Sequence, residues 1–287
     1  MINFLPQSTR LMAVVGSPLS HSLSPQIHNK TIDRLGLPYC YVPIDIKLSS
    51  DDDVMAFLHW AWQVGIEGIN VTLPYKERFA TLLHARLPSI NTLTRGDSFW
   101  ECHSTDGIGF LQAAKRLSDK AISDHKELVL LGNGGAALAV ADTWKKTYPD
   151  LPITVFRRTD KKDSLWKDVI GKDGLSFLPF EPKALESHIS KASHDHLQLV
   201  AQATSAPLVG QDLSEFIPAF ALFRGSFIDM TYGMKSSAIL TALLQRGCDA
   251  CDGLSMLLEQ ALASQMLWWG QSDTYEQIYE DLAKALR

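Results

Sequence analysis

The chain has 287 residues, of which 46% are hydrophobic and 21% charged, a balance that suits one large or two medium globular domains with buried cores. Its formal net charge of −5 excludes a protein whose main partner is nucleic acid, because phosphate neutralisation needs a basic face, though a local basic pocket for one phosphate stays open. No window approaches ~18 consecutive apolar residues, which excludes a transmembrane helix, and Cys40, Cys102, Cys248 and Cys251 are too scattered for a disulfide framework.

Strand-like and helix-like segments alternate along the chain. Residues 11–16 form a short apolar strand. No basic stretch with an apolar run and cleavage site precedes it, so the cytosol is the expected location. Ser24-Pro25 opens a helix to about Leu35, with proline in the first turn and Gly36 just past the end. Residues 39–45 read as strand. A helix starts at Ser50 with Asp51, Asp52 and Asp53 and stops at Gly65. Residues 68–72 are the next strand, and 90–95 with 99–104 flank a Gly96-Asp97 turn as a hairpin. A helix follows from Gly107 to Leu117, then a polar stretch at 118–126.

From there the alternation repeats: strand to Gly132, helix to Tyr148, strand 153–158, further αβ units, then strands 197–204 and 227–232. Helices at 236–246, 254–269 and 275–286 close the chain. Such βα alternation implies parallel sheets covered by helices, an α/β fold. The Cys248-Asp249-Ala250-Cys251 stretch has CxxC spacing, but no second pair or paired histidines accompany it. No metal role is expected of it.

Gly132-Asn133-Gly134-Gly135-Ala136 follows the apolar strand at 128–131 and opens a helix. Small residues there let the chain turn sharply and let backbone N–H groups approach a pyrophosphate at the helix N-terminus. A structural turn or a methyltransferase loop also fits this segment. The next strand ends in Arg157-Arg158-Thr159. At that strand end a carboxylate suits the ribose 2′-hydroxyl of NAD, whereas arginines suit the 2′-phosphate of NADP. A solvated basic loop is the plainer alternative, since Lys161 and Lys162 follow.

Three segments of the N-terminal half carry candidate chemistry. Ser22-Leu23-Ser24-Pro25 offers two hydroxyls at a helix start, an anion receptor or a simple cap. Asn70-Val71-Thr72-Leu73-Pro74-Tyr75-Lys76 sits where a strand ends, with Asn70 and Thr72 on one face. Ser104-Thr105-Asp106-Gly107 places a carboxylate at a helix start. A lysine and an aspartate around one secondary alcohol form a proton-transfer pair for hydride chemistry. Each also has an ordinary structural reading, as surface lysine or helix cap.

In this order, the pieces resemble the shikimate dehydrogenase family. The match runs through Ser-Leu-Ser-Pro, Asn-Val-Thr-Leu-Pro-Tyr-Lys, Ile90-Asn91-Thr92-Leu93, Ser-Thr-Asp-Gly, the glycine turn and Arg-Arg-Thr. It continues through Ala203-Thr204-Ser205, Asp229-Met230-Thr231-Tyr232, Asp252-Gly253-Leu254 and Glu259-Gln260-Ala261, and so spans about residues 14–270. The resemblance implies an N-terminal α/β substrate domain, residues 1–105 with 253–287, and a Rossmann-like NADP-binding domain, residues 106–252, with the active site in the cleft between them. It implies reversible NADP-dependent reduction of 3-dehydroshikimate to shikimate in chorismate and aromatic amino-acid biosynthesis.

The resemblance further implies roles residue by residue. Lys76 and Asp106 are the catalytic pair. Ser22, Ser24 and Tyr232 hold the substrate carboxylate, and Thr72, Asn91, Asp106 and Gln260 bind ring hydroxyls, with Asn70 supporting that edge. Gly132, Gly134, Gly135, Ala136, Arg157, Arg158 and Thr159 hold NADP, and Thr204, Gly253 and Met256 lie near its nicotinamide. The expected partner is a small molecule, with no nucleic acid, membrane or metal, and the chain acts as monomer or homodimer.

Departures from the family pattern are Ser104 and Gln202 in place of asparagines, Asn133 in the glycine turn, Leu138 for a basic residue, Arg157 for asparagine, and Ser255 for glycine. They cluster on the nucleotide side. Two alternatives stand beside the main reading: a quinate/shikimate dehydrogenase paralogue using NAD or both cofactors, and a non-catalytic NADP-binding sensor. Ser24 leans towards shikimate, since quinate-preferring relatives tend to carry threonine there.

Overall fold

A computed structural model describes residues 8–117, 122–191, 197–233, 236–270 and 274–286. The chain divides into two compact units. One contains the chain up to Thr105 and again from Gln260 onwards, and the other runs Asp106–Glu259.

The first unit is built on β1 (Arg10–Gly16), α1 (Ser24–Leu35), β2 (Tyr39–Asp45), α2 (Asp51–Gln63), β3 (Ile66–Val71), α3 (Lys76–Leu82), β4 (Thr92–Arg95) and β5 (Trp100–His103). The sheet order is β2-β1-β3-β4-β5, parallel over the first three strands and antiparallel from β3 through β5. The inner strand β1, paired on both sides, is Met12 to Val15 at its core, each at most 1% exposed. Such a continuous apolar run belongs to a strand covered on both faces. Burying each of these larger side chains contributes about 1.5–3 kcal/mol. Helix α2 starts with a reciprocal cap: Asp53 N donates to Ser50 Oγ (3.1 Å) and Ser50 N to Asp53 Oδ2 (2.8 Å). Helix α1 ends at Gly36, whose φ of +61° is the left-handed cap that glycine adopts without strain.

The second unit contains α4 (Asp106–Leu117), β6 (His125–Leu131), α5 (Gly135–Thr147), β7 (Ile153–Arg157), α6 (Asp163–Ile170), β8 (Leu175–Pro179), α7 (Pro182–Ile189), β9 (Leu197–Gln202), β10 (Gly225–Asp229), α8 (Ala238–Gln245) and β11 (Asp249–Cys251). All pairings in its sheet are parallel, in the order β11-β10-β9-β6-β7-β8. This is the doubly wound order, with the direction of progression reversing between β6 and β9. One face is covered around Trp144 and Trp166, the other around Phe156, Phe220 and Phe227. Helix α9 (Leu254–Trp269) begins in this unit and continues into the first, and α10 (Tyr275–Leu286) follows it.

Several boundaries differ from the sequence expectation. Lys76 opens α3, a helix of 7 residues that the sequence reading did not contain. Ser24 is the first residue of α1 and not its cap; Leu23 occupies the cap position with no side-chain bond. Instead Ser24 N donates to Ser22 Oγ (3.3 Å). Strand β3 begins at Ile66, two residues earlier than expected, because Gly65 (φ +82°) ends the preceding turn. Helix α8 begins at Ala238, capped by Ser237 Oγ accepting from Leu240 N. Residues 118–121 of the expected polar stretch lie outside the described residues, and its end, from His125, belongs to β6.

Candidate active site

In the first unit, β1 and β3 are parallel neighbours, so the loops after them emerge at the same carboxyl edge of the sheet. They pack closely: a Cβ added at Gly16 would fall 2.4 Å from Thr72 Cγ2. Thr72 N donates to Val15 O (3.0 Å) and Ser17 N to Leu73 O (3.2 Å), which fixes Thr72 at that edge. Asp45, at the end of β2, accepts from Leu19 N (2.9 Å) and so anchors the loop that carries Ser22. That backbone bond, with a second from the Ser17 hydroxyl, holds the Asp45 carboxyl below its ordinary range. Tyr75 donates its hydroxyl to Ile46 O and accepts from Leu48 N, each at 2.8 Å, pinning the turn directly before Lys76. Ser22, Ser24, Thr72 and Lys76 are all half-buried.

Beneath this edge lies a buried polar cluster. The Tyr41 hydroxyl donates to Asn70 Oδ1 (2.6 Å), and Asn70 Nδ2 lies 3.1 Å from each of Asn91 O, Thr92 Oγ1 and Ser264 Oγ. Asn91 Oδ1 accepts from Thr105 N (2.8 Å) and Thr92 Oγ1 (3.1 Å), while Asn91 Nδ2 donates to Thr105 Oγ1 (2.9 Å) and Gln260 Oε1 (3.0 Å). So β3, the β4 strand start, the segment after β5 and helix α9 meet through amides and hydroxyls. Asn70 is 6% exposed and its amide is committed inside the cluster, which makes it a brace. His28 stacks on Tyr41 with ring centroids 4.2 Å apart, and Gln265 Nε2 lies 3.0 Å from His28 Nδ1. Burial pushes His28 down to about 3, against a smaller upward pull from Asn70. Burial also raises the Tyr41 phenol well above its ordinary value, against a pull from its hydrogen bond with Ser24. The ring of His28 is therefore neutral at physiological pH.

In the second unit, the glycine turn leaves β6 at the point where the strand order reverses. Gly132 has φ +115°, and an added Cβ would fall 3.0 Å from Thr204 Cγ2 and 3.1 Å from Thr204 N, so this turn lies against the loop after β9. Gly134 is the N-cap of α5, extended and without a side-chain cap bond, so the N–H groups at the start of Gly135 and Ala136 are left for an anion. Thr204 N and Thr204 Oγ1 both donate to Gln202 Oε1 (2.6 and 2.8 Å).

After β10, the buried Asp229 organises the loop that presents Tyr232. Its Oδ1 accepts from Thr231 N (3.0 Å) and Thr231 Oγ1 (2.7 Å), and its Oδ2 from Ser237 N (2.6 Å). Tyr232 is half-buried, which raises its phenol. Gly253 N donates to Thr231 O (2.9 Å), and an added Cβ at Gly253 would fall 2.6 Å from Met230 O. Met256 packs into the core of this unit, 7% exposed. Asp106 is the first residue of α4 and 6% exposed.

The structure separates the two arginines at the end of β7. Arg157 is the last residue of β7, and Arg158 lies just beyond it. Arg157 lies over Phe177 (5.3 Å to the ring centroid) and Arg158 over Phe180 (5.8 Å), rings that belong to opposite faces of the sheet. Arg157 Nε and Nη2 each donate at 2.6 Å to the two carboxylate oxygens of Asp163. Arg158 is exposed and donates to Gln211 Oε1 (3.2 Å). Thr159 is exposed beside it, with its carbonyl held by Asn133 Nδ2 (3.2 Å).

Residues 14–92 match the model of the shikimate dehydrogenase substrate binding domain. Over 96% of the chain and 97% of the relative, it is 32% identical to a protein of Microcystis aeruginosa named shikimate dehydrogenase (NADP(+)). The chain belongs to the shikimate dehydrogenase family. Among solved structures, that of shikimate dehydrogenase from Aquifex aeolicus covers 99% of this chain and is itself covered completely, with a TM-score of 0.78 at 26% identity. The structure of shikimate 5-dehydrogenase from Thermus thermophilus in complex with shikimate covers 96% of the chain, with 99% of its own length matched and a TM-score of 0.72 at 26% identity. The α/β architecture, with a substrate-type domain and a Rossmann-like domain, is that of this family. Among the described residues no helix is long and apolar enough to cross a membrane, and no cluster of candidate metal ligands occurs.

Sequence reasoning missed Tyr41, Thr92, Thr105, Ser264 and Asp163. Three of these carried a signal: Thr92 adjoins Asn91, Thr105 adjoins Asp106, and Ser264 lies one helical turn from Gln260 on the same face of α9. Tyr41 and Asp163 carried none, since each acts through a partner distant in sequence or hidden by strand alternation.

Proposed function

We propose that the chain catalyses the reversible NADP-dependent reduction of 3-dehydroshikimate to shikimate, a step of chorismate and aromatic amino-acid biosynthesis. End-to-end likeness to proteins named for this reaction supports the chemistry. The observation in the fold that carries the substrate side is the 3.0 Å hydrogen bond between Asn91 and Gln260, residues far apart in the chain, within one polar cluster.

The donor set fits the cofactor. The uncapped start of α5 after Gly132 and Gly134, with Gly135 and Ala136 on its first turn, suits a pyrophosphate, and Arg158 with Thr159 suits a 2′-phosphate. Thr204, Gly253 and Met256 would line the nicotinamide end. When bound, NADPH supplies the hydride for the substrate carbonyl carbon. Ser22, Ser24 and Tyr232 hold the substrate carboxylate, with Tyr232 kept protonated by burial. Thr72, Asn91, Asp106 and Gln260 bind ring hydroxyls. Lys76 gives its proton to the carbonyl oxygen as negative charge develops there, and takes it back in the oxidative direction. The Asp106 carboxylate orients that ammonium. The chain acts in the cytoplasm on a small-molecule substrate, as monomer or homodimer.

A spectrophotometric assay crossing shikimate and quinate with NADP⁺ and NAD⁺ tests the reading. Shikimate with NADP⁺ is expected to give the highest kcat/KM. Reduction of neither cofactor on either acid removes the enzymatic reading, and fastest turnover of quinate with NAD⁺ moves the chain to the quinate branch.

A further inference from the structure

We propose that Asp163 sets cofactor preference by holding Arg157 away from the 2′-phosphate site, so that Arg158 alone supplies the guanidinium that reads the phosphate. The inference rests on the reading of NADP as cofactor and sharpens it. A sequence with two adjacent arginines at this strand end suggests a double clamp. In the structure Arg157 ends β7 and Arg158 lies just past it, and the two guanidiniums point apart, one over Phe177 and the other over Phe180, rings that pack on opposite faces of the sheet.

Arg157 is also chemically committed. Its fork meets Asp163 through two bonds of 2.6 Å, and the two side chains are only 21% and 17% exposed. Paired, shielded geometry of this kind is the strong form of an arginine–carboxylate contact. Asp163 opens α6, six residues beyond Arg157, so the pair ties the β7 end to the α6 start. Arg158, by contrast, is exposed and meets no carboxylate among the described residues; its neighbours are Gln211 and Phe180. The carboxylate of Asp163 therefore neutralises Arg157 and keeps its fork turned away from Arg158. Arg157 and Asp163 are positioning residues, and the 2′-phosphate receptor is Arg158 with the Thr159 hydroxyl.

Titration calorimetry of the full chain with NADP⁺, NAD⁺ and adenosine 2′,5′-bisphosphate tests this without turnover. Asp163→Asn, which keeps shape and removes charge, is expected to tighten NADP⁺ and the bisphosphate by about fivefold, leave NAD⁺ unchanged, and give a smaller gain in the Asp163→Asn/Arg157→Ala double variant. Arg158→Ala is expected to lower the NADP⁺/NAD⁺ affinity ratio by about tenfold or more, and Arg157→Ala to leave that ratio within about twofold of the parent. The two arginine variants decide the matter even where Asp163→Asn folds poorly. An Arg157→Ala loss as large as that of Arg158→Ala overturns the inference, as does an NADP⁺/NAD⁺ ratio unmoved in folded Asp163→Asn, while the parent chain still prefers NADP⁺. Absence of NADP⁺ binding to the parent chain instead overturns the cofactor reading, and this inference with it.

Discussion

Tyr41 donates its hydroxyl to Asn70 Oδ1 at 2.6 Å, in a cluster where Asn70 Nδ2 already faces three acceptors. Removing that hydroxyl leaves a buried carbonyl oxygen without its donor, which costs about 1–3 kcal/mol. Tyr41→Phe is therefore expected to lower the free energy of unfolding by that amount, read as a lower urea midpoint with an unchanged m-value. It is also expected to raise KM for shikimate more than it lowers kcat, because Asn70 braces the edge without touching the reacting atoms. An unchanged midpoint together with an unchanged KM removes the brace.

His28 gives the fold an acid-sensitive step. Its folded value is about 3 against an ordinary 6.5, so between these values the unfolded chain binds a proton that the folded chain does not. The stabilisation is complete above pH 6.5 and is lost progressively as pH falls towards 3. Stability of the parent chain, followed by urea unfolding from pH 7 to 4, is expected to fall with a slope that His28→Phe reduces. Parallel pH curves for the two proteins are the contrary result.

For the proposed chemistry, Lys76→Ala is expected to lower kcat by a factor of about 10²–10⁴, the usual worth of a positioned proton donor. Asp106→Asn should lower kcat and raise KM together, since Asp106 is assigned both the ammonium and a ring hydroxyl. Full kcat in Lys76→Ala takes the lysine out of the mechanism.

The turn after β6 makes a prediction on the nucleotide side. Gly132→Ala forces a side chain onto φ +115° and against Thr204 at 3.0 Å. Weaker NADP⁺ binding by calorimetry is expected, with far-UV circular dichroism unchanged. NADP⁺ affinity equal to that of the parent chain shows that the turn does not approach the nucleotide.

Much of the α/β alternation was legible, because β1, β3, β6 and β9 are apolar runs of strand length bounded by glycine or polar residues. The glycine turn and the hairpin at 92–103 were legible for the same local reasons. Helix α3 was not: its 7 residues begin two positions after Pro74, and a run this short has no clear period. The cap of α1 was misread because Ser24 has the right chemistry but sits one residue inside the helix. Arg157 and Arg158 were both assigned to NADP from sequence, and it is the rings they lie over and the position of Asp163 that separate them. The Asn91–Gln260 contact lay beyond pattern reading altogether, since it joins residues whose proximity is decided by the return of α9.

That return has a temporal consequence. Trp268 packs where a Cβ at Gly68 would strike it at 2.4 Å, and Ser264 and Gln265 complete the partners of Asn70 and His28. During synthesis these residues leave the ribosome after the uninterrupted segment from Asp106 to Glu259 has emerged. The sheet built on β1 and β3 is thus made before that segment and completed after it, and it must wait, half-assembled, for the residues of α9.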